Sequence, residues 1–258
     1  MATAAKSNDH IATVVAIAVL AACITTAAHE AAGHGLTCLA LGGAITQLTS
    51  VYFQCSIPST AIAAAGPIGN LIAAALCFWL FSRTPPTATR TRLLLLLTTA
   101  FSIFWFAGYL GYSAARQTGD LYFVARDLFG TPPLALRFGA IIVAMVLYFV
   151  GVRVTRTLSD QLCRDPKRLR RLLYIGWIAA TFAAIAAGLT YAPDRTGAAV
   201  QAALEIGAAS LPLLTRGVIA PIGANDTNPL IARSWPWIAT ALGVYALFIA
   251  TLGNGLPY

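Results

Sequence analysis

Charge is scarce in this chain. Of its 258 residues only 10% are Asp, Glu, Lys or Arg, nine of these are acids, and there are three histidines and two methionines. So few charges cannot cover the surface of an ordinary globular domain, and a mean hydropathy of +0.74 with recurring apolar runs of about 20 residues sets the soluble class aside. Long polar stretches are missing too, so 1–258 reads as one integral membrane domain with no separate soluble unit. No Cys-x-x-Cys pair occurs. Cys23, Cys38, Cys55, Cys77 and Cys163 are scattered, mostly within apolar runs, and read as small core residues. There is no internal repeat and no low-complexity tract beyond an alanine bias.

What charge there is has a pattern. The net charge of +8 lies mostly in short segments between apolar runs, most densely at 153–171, where seven residues are Lys or Arg. That is how membrane topology is specified, and it argues against nucleic-acid binding. Lys167, Arg168, Arg170 and Arg171 read as a plain cytoplasmic anchor before they read as a binding site for anionic lipid. Apolar runs at 11–28 (continuing to Leu41), 60–81, 93–112, 138–152, 172–191 and 236–252 predict an all-α polytopic protein with about six transmembrane helices. The first run exceeds the apolar core of a cleaved signal peptide and reads as a span. Between the first two spans, 44–59 alternates apolar with polar residues, which predicts a short β-hairpin or extended segment at the membrane surface. The stretch 193–235 reads as a long connection with an amphipathic or re-entrant helix at 200–214 and a turn at 225–229. With six spans, eleven of the 17 basic residues fall on the side that holds the N-terminus. Both termini are then cytoplasmic in a multi-pass protein, bacterial inner membrane being the expected setting.

Against this background one hexapeptide stands out. His29-Glu30-Ala31-Ala32-Gly33-His34 holds two of the three histidines and one of the nine acids, at the far end of the first apolar run. In a His-Glu-x-x-His zinc site the imidazoles are four apart and share a helix face. Here they are five apart, about 140° on an ideal α-helix, too far round for both to reach one ion. A single π-bulge would absorb the extra residue and return His34 beneath His29, and the Ala-Ala-Gly insert is small enough to allow it. The competing arrangement makes Glu30 and His34, four apart, the metal pair and leaves His29 outside it. Two further polar features fall at the same predicted membrane side. They are Gly66-Pro67-Ile68-Gly69-Asn70 in the second span and Asp120 after the third, with Asp127 two helical turns on.

This combination resembles the site-2 protease family of intramembrane zinc metalloproteases. The likeness rests on His29-Glu30 with Gly33-His34 followed by Gly42-Gly43, on Gly66-Pro67-x-x-Asn70, and on Asp120, and it spans about residues 11–130 as a metalloprotease-like core. Residues 131–258 are matched only by hydrophobicity and count as additional helices. The resemblance implies a zinc ion held by His29, His34 and Asp120, with Glu30 as general base and proton donor to the leaving amine. It assigns Asn70 a hydrogen bond to the substrate backbone or oxyanion. The implied reaction is hydrolysis of a peptide bond in or near a transmembrane segment of a membrane protein or peptide substrate, within the lipid bilayer. The chain departs from the family pattern in its longer histidine spacing, in Leu121 where glycine usually follows the aspartate, and in lacking the Asn-x-x-Pro before it. Asp127 therefore stands as an alternative third ligand. Two other functions stay open on the residues alone. One is a metal-binding membrane protein with a structural or assembly role, and the other is a metal-free transporter or scaffold in which these side chains form a polar network.

Overall fold

The first apolar run folds as one continuous helical rod, Ile11–Ala40, in a computed structural model that describes residues 8–218 and 229–256. It is made of α1 (Ile11–Ala27), a π-helical segment (Ala28–Gly35) and α2 (Leu36–Ala40). The third histidine, His10, caps the start, its ring accepting from the Thr13 N–H. Gly42, at φ +82°, adopts a backbone that L side chains rarely reach and turns the chain out of α2. The expected hairpin follows: β1 (Ile45–Leu48) pairs antiparallel with β2 (Phe53–Cys55).

One reading of the sequence is corrected here. Cys38 and Cys55 are not two isolated core residues but form a disulfide, because the hairpin folds back onto the end of α2. Cys23, Cys77 and Cys163 are free. Spacing alone hid the pair, since its members lie 17 positions apart and neither sits in a recognisable motif.

Ser59 caps α3 (Thr60–Arg83), accepting from the Ala61 N–H, and Pro67 lies inside this helix. Next come α4 (Thr89–Arg116), the short α5 (Asp120–Phe129), α6 (Leu134–Leu162) and α7 (Pro166–Thr190). Asp165 caps α7 with Pro166 at its first position. The helix expected at 200–214 is longer than the sequence suggests. Joined to a 3₁₀ turn and a second π-helical segment (Ala203–Ala208), α8 (Arg195–Ala202) belongs to a helical stretch Ala192–Thr215. The last helix, α9 (Trp235–Phe248), runs on in π geometry to Gly253. Apart from Pro229, the turn expected at 225–229 lies outside the described residues.

Seven helices among the described residues are thus long and apolar enough to cross a membrane, one more than the sequence reading counts. The difference lies in Ala192–Thr215, which the sequence reading places within a long connection and which contains Gln201 and Glu205. In the structure they bond to each other, and the Glu205 side chain is buried. The expectation of two cytoplasmic termini rests on an even number of crossings and so depends on this stretch.

The core is built around α4. Leu93, Leu96, Leu97, Phe101, Phe104 and Trp105 are fully enclosed among α1, α3, α6 and α7, with Leu158, Leu162, Leu169 and Leu172 in the same cluster. Asp9 and Arg168 close one end by a buried ion pair at 2.9 Å. At the other end of the rod lie the π segment, the hairpin and α5, and there the polar residues gather.

Candidate metal centre

The π segment supplies what the histidine spacing requires. The Leu36 N–H donates to the Ala31 carbonyl, five residues back, so the helix is underwound over Ala28–Gly35 and residues five apart come to lie above one another. His29 and His34 thereby face each other edge to face, with ring centroids 5.0 Å apart. Small residues let α3 approach this turn. A Cβ on Gly33 would lie 2.6 Å from the Ala65 carbonyl oxygen and 2.7 Å from Gly66 Cα, and a Cβ on Gly66 would strike the His34 imidazole. The glycines singled out in the sequence are thus the contact surface between two helices.

Asp120 arrives by a sharp reversal after α4. Gln117 takes a left-handed conformation (φ 57°) and Gly119 a positive φ of 85°, and α5 then starts at Asp120 with its carboxylate over the imidazoles. Its backbone N–H donates to the Tyr109 hydroxyl at 3.2 Å, which ties the start of α5 to α4. Asp120 Oδ2 lies 3.2 Å from His34 Nε2 and 3.5 Å from His29 Nε2. All three ligand atoms fall within 4.8 Å of one another. A tetrahedral zinc with bonds of about 2.0–2.1 Å spaces its ligand atoms about 3.3–3.4 Å apart, so the separations of 3.2 and 3.5 Å match the edges of such a site.

The far nitrogens of both rings are held. His34 Nδ1 lies 2.7 Å from the Ile62 carbonyl oxygen and so carries the proton it donates there, which leaves Nε2 as a free lone pair. His29 Nδ1 lies 3.0 Å from the Asn70 side-chain nitrogen, while Asn70 Oδ1 is buried without a partner. A metal-binding His29 needs its proton on Nδ1, and turning the Asn70 amide over sets the orphaned oxygen on that proton. Trp105 stacks flat on His29 (4.5 Å, 7°) and Phe53 of β2 stacks on His34 (5.2 Å, 16°), fixing both ring planes. Asp120 Oδ2 faces both Nε2 atoms with no other hydrogen bond to that oxygen among the described residues. It is therefore available as an anionic ligand.

Glu30 sits on the same turn, buried, with Oε2 lacking any hydrogen-bond partner. A carboxylate with no partner inside a protein is costly, which makes it an unsatisfied group waiting for one. The residues present fit a borderline ion of the zinc type in donor chemistry, spacing and orientation.

The structure brings His29, His34 and Asp120 together, with Glu30 on the same π turn and Asn70 against His29. Asp127 is elsewhere: it accepts from the Thr60 hydroxyl at 3.3 Å and pairs with Arg126 on an exposed face of α5. Trp105, Tyr109 and Phe53 were missed by sequence reasoning, because aromatic residues in an apolar run carry no mark of a site. Glu205 was missed as well, although an acid in the middle of the apolar run 196–215 is such a mark. Comparison of the chain with protein-family models, with curated proteins and with solved structures finds no match.

Proposed function

We propose that this is a membrane-embedded zinc hydrolase that cleaves a peptide bond in or near a transmembrane segment of a membrane protein or peptide. The observation that carries the reading is the convergence of His29 Nε2 and His34 Nε2 on one Asp120 oxygen, beside an unpartnered Glu30 carboxylate on the same π turn. His29, His34 and Asp120 would hold the ion, with a fourth position left open. Zinc bound there would supply a Lewis acid for the scissile carbonyl and lower the pKa of water. Glu30 takes the proton from the attacking water and returns it to the leaving amine, the role for which a free buried carboxylate next to a ligand is suited. Asn70 and Ile62 keep the imidazoles in the ligating tautomer, and Trp105 and Phe53 keep them in plane.

Access supports the same reading. An open cavity of about 480 Å³ reaches Asp120 between the hairpin, the α4–α5 turn and the start of the Ala192–Thr215 stretch, lined by Gln47, Gln54, Tyr112, Asp194 and Gln201 among others. A helical substrate must lose some helix there before water can reach its backbone. The Cys38–Cys55 disulfide beside the site favours an oxidising compartment, in keeping with a site toward the non-cytoplasmic side.

A second reading rests on the same distances. Two imidazoles and a carboxylate at 3.2–3.5 Å also satisfy one another without any ion, as a polar network. The variant Glu30→Gln in detergent-purified full-length protein tests the first reading. It should keep its zinc and lose cleavage of a transmembrane reporter peptide by about 10²–10⁴-fold. Undiminished cleavage would remove the hydrolase assignment.

A further inference from the structure

Glu205 is the buried acid that the proposed reaction does not use. It lies on the second π-helical segment, 7% exposed, and among the described residues it has no ion-pair partner and accepts one hydrogen bond, from Gln201 Nε2 at 2.7 Å. Around it the structure builds a chamber of about 210 Å³. The walls are largely aromatic: Trp105, Tyr109, Tyr112 and Tyr148, with Leu204 between them. Among the described residues no Lys or Arg lines it.

Two of the tyrosine hydroxyls are already engaged. Tyr148 donates to the Ala209 carbonyl at 3.2 Å, and Tyr109 accepts from the Asp120 N–H at 3.2 Å. Their ring bodies are what remain for an occupant. Gly108 allows this wall, since a Cβ there would lie 2.6 Å from the Tyr148 hydroxyl. The chamber also adjoins the metal centre. Trp105 stacks on His29, and Tyr109, Tyr112 and Gln201 line both the chamber and the open cavity that reaches Asp120.

An aromatic box with one carboxylate and no resident cation has a defined complement. Aromatic faces attract a cation through their quadrupoles and bury an alkyl stem, while the acid takes the charged head. We propose that this chamber is a specificity subsite for a lysine-type side chain of the substrate, with the stem against Tyr112, Tyr148 and Trp105 and the ammonium on Glu205. The assignment rests on the hydrolase reading, because it is the neighbouring metal centre that makes the occupant a substrate side chain.

Two peptide hydroxamates, identical except for lysine or norleucine beside the zinc-binding group, test it by direct binding to the zinc-loaded, full-length protein in detergent. The lysine probe should bind wild type about tenfold or more tightly than the norleucine probe, an advantage within the range of a desolvated cation–π and ion-pair contact. Glu205→Gln should reduce that ratio to near one with the norleucine affinity unchanged, and Tyr112→Leu, which leaves the acid in place, should narrow it. Equal binding of both probes to wild type would overturn the subsite while leaving the metal centre standing. Zinc-independent binding, or none, would overturn the hydrolase reading and the subsite with it. A lysine preference that survives Glu205→Gln in folded protein would overturn the role given to the acid.

Discussion

Two π-helical segments bear on Trp105 and do different things with it. Ala28–Gly35 lays His29 flat against the indole and turns His34 back toward the same point. Ala203–Ala208 lines a cavity with the indole and offers a single acid, Glu205. In both, the helix is underwound where a polar side chain must be aimed inward, and each aims a buried glutamate. The difference is in what meets it. The first segment is met by Asp120 from α5 and by the glycines of α3, which gathers a candidate ligand set, whereas the second packs on α7 and α4 and its glutamate accepts from Gln201 among aromatic rings. An underwound turn thus aims side chains, and the elements packed on it decide whether the result is a cluster of candidate metal ligands or a pocket.

The comparison can be broken by substitution, beginning with the largest effect. Glu30→Gln should keep its zinc and lose cleavage about 10²–10⁴-fold, whereas Glu205→Gln should keep its zinc in elemental analysis of purified protein and lose only the preference for a lysine side chain. Asn70→Ala removes the partner of His29 Nδ1 and should weaken zinc binding about 10–100-fold in a competition titration with a chelating dye. Gly33→Ala forces a methyl group into the α3 backbone and should cost about 1–3 kcal/mol, read as an earlier thermal unfolding transition in detergent. The smallest effect concerns Asp127: with its carboxylate on the Thr60 hydroxyl and Arg126, Asp127→Asn should alter neither zinc content nor cleavage.

Much of the site is legible in the sequence because its chemistry is rare there. His29, Glu30 and His34 stand out in a chain of three histidines and nine acids, and the five-residue spacing itself demands the π turn that the structure contains. The small residues at Gly33 and Gly66 mark the close helix contact. The choice of Asp120 over Asp127 was not legible, since both lie on α5 and only the reversal at Gln117–Gly119 decides which one is carried over the imidazoles.

The fold divides the same way. Hydropathy finds α4 and α6 equally well, yet about two thirds of the apolar stretch of α4 is buried against about a tenth for α6. A lipid tail and a leucine side chain are alike to such a measure, so it reports crossing and not packing. The stretch Ala192–Thr215 escaped for the opposite reason, because Gln201 and Glu205 lower its apolar character while satisfying each other inside the protein.

The account turns on whether the π turn and α5 together make a metal site, and zinc content of the detergent-purified chain tests that most directly. Wild type, purified without chelators and with zinc supplied, should hold about one zinc per chain, the stoichiometry of a single His₂–carboxylate site. His34→Ala and Asp120→Ala should lose it, and Glu205→Gln should keep it. A wild type that binds no zinc, or a His34→Ala that binds as much as wild type, would contradict the account.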